Sequence, residues 1–180
     1  NIPTTVIRDE VLELGIYSWV NGEIIEKSDL DDLKQAVDFV QKLYDISKSS
    51  NAKYLGCATE ACLSANELVT QVEKRIDKLM SITTEYDVLK HFLVDQFIPL
   101  WQDLVEYAFD EWPSSSRDDD LKVEYQTLSP SDFGFHNAIR QSDRLVFVDF
   151  EYFGWDDPVK LTADFMWHPA MNLDVEDSLY

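Results

Sequence analysis

The sequence predicts an α+β fold that is mainly helical. Three observations predict it: apolar residues recur at helical spacing through three long segments before residue 113, the period changes to two after residue 122, and only 5 glycines and 6 prolines punctuate 180 residues. Hydrophobic residues make up 45% of the chain and aromatics 13%, enough apolar surface to offset the entropy of ordering one domain.

The first element is a strand. Residues 11 to 20 are rich in β-branched and aromatic side chains, and Asn21-Gly22 stops the strand because both residues tolerate positive φ. A helix then begins at Ser28 as N-cap, with Asp31 and Asp32 at the positive end of its dipole. Leu30, Leu33, Val37, Val40 and Tyr44 recur in steps of three and four and form its inward stripe. Residues 47 to 53 are polar and form a loop. A second helix spans 64 to 80, with Leu68, Val72, Ile76 and Leu79 inward. A third covers 84 to 112, and Pro99 must kink or divide it, since proline lacks the N–H that the helix ladder needs.

The run Pro113-Ser-Ser-Ser-Arg-Asp-Asp-Asp120 is an exposed connector. Val123, Tyr125 and Thr127 suggest a short strand and Arg144 to Asp149 a second, with turn residues at 141 to 143, so the two make a small β-hairpin. A final helix starts at Pro158, which suits a first helical turn. The order is strand, three helices, hairpin, helix.

Thirty-five acids against 15 bases give a net charge of -20, which excludes phosphate-backbone attraction and makes nucleic acid and anionic membrane poor partners. No apolar stretch approaches the roughly 20 residues a bilayer span needs, and no signal-like start is visible, so the expectation is a soluble, cytoplasmic protein. Cys57 and Cys62, five positions apart with no histidine nearby, are read as reduced structural thiols.

The chemistry concentrates between residues 129 and 151. Asp132 and Asn137 lie five positions apart, and a hydrophobic strand after them ends in Asp149, so three oxygen-bearing side chains can converge on one small space suited to a hard cation. If the strand continues, Asp149 and Glu151 point to the same side, making Glu151 a second ligand or a support for the first.

Pro130-Ser131-Asp132 through Asn137, then Val148-Asp149-Phe150-Glu151, then Asp156-Asp157-Pro158 resemble, in order, the signature of the aminoglycoside phosphotransferase and choline kinase group of small-molecule kinases. In that group His-Gly-Asp-x-x-x-x-Asn is followed by a hydrophobic strand, Ile-Asp-x-Glu and a Gly-Asp-Pro turn. The resemblance implies the C-terminal lobe of a protein kinase-like fold, with the small hairpin at the catalytic site. It implies Asp132 as catalytic base or orienter of an acceptor hydroxyl, and Asn137 and Asp149, with Glu151, as ligands of Mg2+ bridging the phosphates of ATP. Tyr17-Ser-Trp-Val-Asn-Gly22 resembles the hinge, so backbone groups of Ser18 and Val20 would meet the adenine edge, and Val148 would pack beneath the ring. The acceptor would be a small hydroxyl compound: an amino sugar, an aminoglycoside, a choline-like alcohol or a sugar.

The departures are specific. Pro130 stands where the group has histidine, and Leu161 stands where it has a second aspartate, with Asp164 three residues on as a replacement contact to the catalytic loop. No glycine-rich loop precedes the hinge, and nothing before Tyr17 can house that loop's sheet and phosphate-steadying lysine. Residues 1–26 are therefore expected to be the end of an N-terminal lobe and its hinge, and 27–180 the helical C-terminal lobe. The N-terminal lobe would lie outside this chain and the last helices would be cut at Tyr180, leaving the isolated chain inactive.

Two other readings remain open from the residues. One is a pseudokinase-like binding module without catalysis, which Pro130 and Leu161 favour. The other is a magnesium-dependent hydrolase using Asp149 and Glu151 directly. His91, His136 and His168 have neither zinc spacing nor a serine partner; His136 is read as packed locally in its loop and His91 as structural. Tyr152, Phe153, Trp155 and Trp167 are read as core aromatics rather than a cage for an amine.

Overall fold

The computed structural model describes residues 1–12 and 14–171 and shows a mixture of helix and strand. The expected truncation at Tyr180 lies outside these residues. Two compact units form, one from residues 1–61 with the described part of 123–180, the other from 62–122.

The first unit opens with a hairpin of β1 (Thr5–Asp9) and β2 (Leu14–Tyr17), where a single strand over 11 to 20 was expected. Asp9 Oδ1 accepts the N–H groups of Val11 and Leu12, and this makes the turn that sequence periodicity did not signal. β3 (Glu23–Ile24) then pairs with β5 (Ala138–Gln141), which pairs with β6 (Arg144–Phe147) through a turn at Ser142 and Asp143. β4 (Thr127–Ser129) pairs with β7 (Gly154–Asp156). The expected hairpin therefore exists, but its first strand is β5 rather than 123 to 127. Val123 and Tyr125 instead sit exposed on a 3-10 turn, with nothing apolar to hold them in a sheet.

Helix α1 (Leu30–Ser47) is capped by Asp29, not Ser28. The aspartate oxygen accepts from the N–H groups of Asp31 and Asp32, while the Asp32 carboxylate accepts from the N–H of Asp29, a reciprocal box that serine one residue earlier cannot close. The buried stripe of α1 is Asp32, Ala36, Phe39, Leu43 and Ser47, about one position off the expected one, and Leu30 and Val37 are exposed. Phe39 decides this rotation: its ring lies 4.5 Å from Phe147 and 5.7 Å from Phe133, and seating an aromatic of that size contributes more than seating Leu30 or Val37. Leu128, Phe135, Leu145, Trp155 and Leu161 complete the core.

Gly154 lets the chain close against residues 56 to 58, where a Cβ would come within 2.4 Å of the Cys57 carbonyl carbon and the Ala58 nitrogen. Trp155 N–H donates to Gly56 O and Ala58 N–H to Trp155 O along this contact. The final helix, α5 (Pro158–Trp167), starts as expected, with Asp157 as its N-cap and Pro158 in its first turn. Leu161 is core. Asp164 bonds Lys160 at 2.7 Å rather than reaching the loop around Asp132, and Lys160 also faces the fully buried Asp156 at 3.4 Å. Burial works against the charge on Lys160, but the Asp164 hydrogen bond and the pull of Asp156 outweigh it and hold its pKa above the usual lysine value.

The second unit contains α2 (Ala65–Met80), α3 (Asp87–Phe92) and α4 (Ile98–Glu111). Ser64 caps α2 through Glu67 N–H. The expected long helix is divided at a π-helical turn, Leu93–Phe97, where Ile98 N–H donates five residues back to Leu93 O, so the division falls just ahead of Pro99. Leu68 and Leu79 of α2 are exposed rather than inward, and Val72 and Ile76 are half-buried. Neither cysteine forms a disulfide among the described residues; Cys57 is exposed and Cys62 buried. Among the described residues no helix is long and apolar enough to cross a membrane.

Candidate functional site

The loop between β4 and β5 is held by short-range polar bonds. Ser129 Oγ accepts Ser131 N–H, and Asp132 N–H donates to Pro130 O across Ser131, which has φ 71. This is a γ-turn of the strained, positive-φ kind, rare for a residue with a side chain. It lifts Asp132 out of a wholly buried stretch: residues 126 to 131 are buried, whereas the Asp132 side chain is 47% exposed.

Asn137 donates its side-chain nitrogen to Asp132 O at 2.9 Å and to Asp132 Oδ2 at 3.2 Å. That orientation leaves Asn137 Oδ1 as the atom it can offer a cation. Val148 N–H donates to Asn137 O at 2.9 Å, so the end of β6 is fastened to this loop. One residue later Asp149 turns the chain with φ 65, a left-handed conformation that aspartate tolerates better than most residues.

Because of that turn Glu151 does not continue a strand, and the alternation expected to align it with Asp149 does not operate. Both nevertheless border one cleft of about 640 Å³, whose lining also includes Ser18, Val20, Ile139 and Val148. The cleft thus brings together five of the seven sequence-derived site residues, while Asp132 and Asn137 stand in the adjoining loop. Ser18 N–H is already bonded to Thr4 O, and its hydroxyl accepts Thr4 N–H, so its backbone carbonyl is what it can present to the cleft.

The electrostatics tie these groups together. The Tyr152 hydroxyl bonds the Glu151 carboxylate, which raises the phenol's pKa above its ordinary value; the charge of Glu151, and then those of Asp149 and Asp132, push the same way. Trp155 is core as expected, but Trp167 is 76% exposed.

Sequence reasoning missed the surroundings of Asp132. His136 Nε2 lies 3.0 Å from Asp132 Oδ1, and His168 Nε2 lies 3.7 Å from the same oxygen. The two imidazoles stack at 4.2 Å with 13° between their planes. His136 carries a signal, its four-residue spacing from Asp132. His168, 36 residues from Asp132, carries none. The ligand atoms of the three residues lie within 4.8 Å of one another, close enough for a metal ion. Ala170 N–H, however, donates to His168 Nδ1 at 3.1 Å, which puts that ring's proton on Nε2, the nitrogen a metal would need bare.

No family model matches the chain, and no curated protein matches it. Among solved structures it is similar to the streptomycin-ATP-APH(2")-IIa ternary complex, at 17% identity and a TM-score of 0.49 over 90% of this chain and 52% of that one. The chain spans about half the length of that protein.

Proposed function

We propose that the chain is the C-terminal lobe of a phosphotransferase that moves a phosphoryl group from ATP to a hydroxyl of a small molecule. One observation carries the reading: Ser18 and Val20 share a single cleft with Val148, Asp149 and Glu151, and the Asp132–Asn137 loop is fastened to its floor through Val148 N–H. A phosphotransferase works mainly by positioning and charge neutralisation, and this set supplies the protein's part of both.

The donor set fits a hard divalent cation. Asn137 Oδ1, Asp149 and Glu151 offer oxygen alone, and Asn137 is already turned so that its oxygen is free of the Asp132 contact. Mg2+ held there would neutralise negative charge that develops on phosphate oxygens. Ser18 carbonyl and Val20 N–H offer an acceptor and a donor, the complement of an adenine edge, and Val148 offers an apolar surface for the ring. Asp132 would orient the acceptor hydroxyl and take its proton; its carboxylate has about four lone-pair sites, and the hydrogen bonds from His136 and Asn137 leave about two for substrate. The glycine-rich loop and lysine of such an enzyme would come from a lobe outside these residues.

The test is magnesium-dependent ADP release by the full-length protein across a panel of hydroxylated acceptors. Asp132→Asn is expected to lower kcat about 100-fold or more, the scale of a lost general base. Turnover unchanged in that variant removes Asp132 from the mechanism, and Mg-ATP binding without turnover on any acceptor points to the binding-module reading.

A further inference from the structure

The chain after α5 folds back over the loop that carries Asp132, and it does so through three successive contacts. His168 stacks on His136, His168 Nδ1 accepts from Ala170 N–H, and Met171, 4% exposed, accepts Phe135 N–H on its sulfur at 3.0 Å. On its other side the His136 ring lies against Gly134, where a Cβ would come within 2.6 Å of both Cε1 and Nδ1. The imidazole of His136 is thus sandwiched between a residue with no side chain and a second imidazole. Gly134 is extended, a conformation open to any residue, so its close fit to the ring and to Met171 Sδ, which a Cβ would meet at 2.9 Å, is what demands glycine here.

A carboxylate oxygen accepts hydrogen bonds, so His136 must present Nε2–H to Asp132 Oδ1. The Ala170 contact sets the same tautomer in His168, whose Nε2–H faces the same oxygen from 3.7 Å. With Asn137 donating to Oδ2, two side chains hydrogen-bond the two oxygens of one half-exposed carboxylate, and His168 Nε2, at 3.7 Å, stands just beyond hydrogen-bond distance.

We infer that His136 and His168 are positioning residues for Asp132: His136 donates Nε2–H to Oδ1, and His168, tied down by the 168–171 segment, holds the His136 ring by stacking, so that the carboxylate keeps one rotamer. This rests on the phosphotransferase reading for its effect on turnover, but not for its geometry. A general base gains most when its oxygen is held within a fraction of an ångström of the proton it takes, so freeing the carboxylate should lower kcat and leave substrate affinity nearly untouched.

Two measurements on the full-length protein test it. The first is the tautomer of each ring, read from imidazole 15N shifts at a pH where the rings are neutral. The expected result is Nε2–H for both; Nδ1–H on either ring overturns the inference, whatever the protein catalyses. The second is steady-state kinetics with ATP and an accepted hydroxyl compound. His136→Leu and His168→Leu should lower kcat by about 10-fold or more with KM changed less than about twofold; His136→Gln, which keeps an N–H donor, and His168→Phe, which keeps a stacked ring, should recover most of the loss. Gly134→Ala, which crowds both the His136 ring and Met171 Sδ, should behave like His136→Leu. A His136→Gln variant as slow as His136→Leu would overturn the donor role, a His168→Phe variant as slow as His168→Leu the stacking role, and leucine variants as fast as wild type would overturn the inference outright. If wild type turns over no acceptor, the phosphotransferase reading fails and the tautomers still decide the geometry.

Discussion

Asp132 owes its exposure to Ser131, a buried residue held at φ 71 between a buried proline and the aspartate. The left-handed conformation costs a side-chain-bearing residue roughly 1–2 kcal/mol and glycine almost nothing. Replacing Ser131 by alanine or by glycine removes the same hydroxyl, so the difference between the two variants isolates the backbone term. Ser131→Gly is expected to be more stable than Ser131→Ala by about 1 kcal/mol in urea denaturation. Equal stabilities would mean that the turn is not held in that conformation. At this scale the sequence was informative about chemistry and silent about conformation. The place of Asn137 beside Asp132 was legible from their five-residue spacing, and that of Asp149 from the strand that runs back to Asn137. The turns at Ser131 and Asp149 were not, because neither carries the glycine that usually marks positive φ.

Helices were legible where a cap and a stripe agreed. Ser64 and Pro158 gave the starts of α2 and α5 because capping chemistry is local. The face of α1 was misjudged because Phe39 and Leu43, set by partners more than 90 residues away, won the core from Leu30 and Val37. The hairpin was misassigned for the same reason: β4 finds its partner in β7, across residues 130 to 153, and no local pattern announces that pairing. The cap of α1 yields a pH prediction. The N–H of Asp32 donates to the Asp29 carboxylate and holds its pKa below the ordinary 3.8; burial opposes this, and the N–H of Asp31 adds to it. A depressed folded pKa contributes stability that is present above 3.8 and lost as pH falls through the folded value. Asp29→Asn, which keeps the capping oxygen without its charge, should flatten the acid limb of the unfolding curve; an unchanged acid limb would show that the cap contributes nothing to it.

For the whole molecule, a net charge of -20 on 180 residues means that folding gathers negative charge against itself. Screening should therefore stabilise: Tm is expected to rise as sodium chloride goes from about 0.05 to 0.5 M, where the Debye length falls to a few ångströms. A falling Tm would mean that attractive ion pairs outweigh the repulsion. Composition alone argued against phosphate-backbone attraction, since charge is additive and needs no fold. It could not show that residues 14 to 17 would pair with 5 to 9, or that Ser18 and Val20 would border the same cleft as Asp149. The account's central claim is that this cleft is a Mg-ATP site, and calorimetric titration of Mg-ATP into the full-length protein tests it most directly. Wild type should bind, and Asp149→Asn, which keeps a residue tolerant of the left-handed turn while removing the charge, should lose most of that binding with the fold intact. Equal binding by the two proteins, or none by wild type, would contradict it.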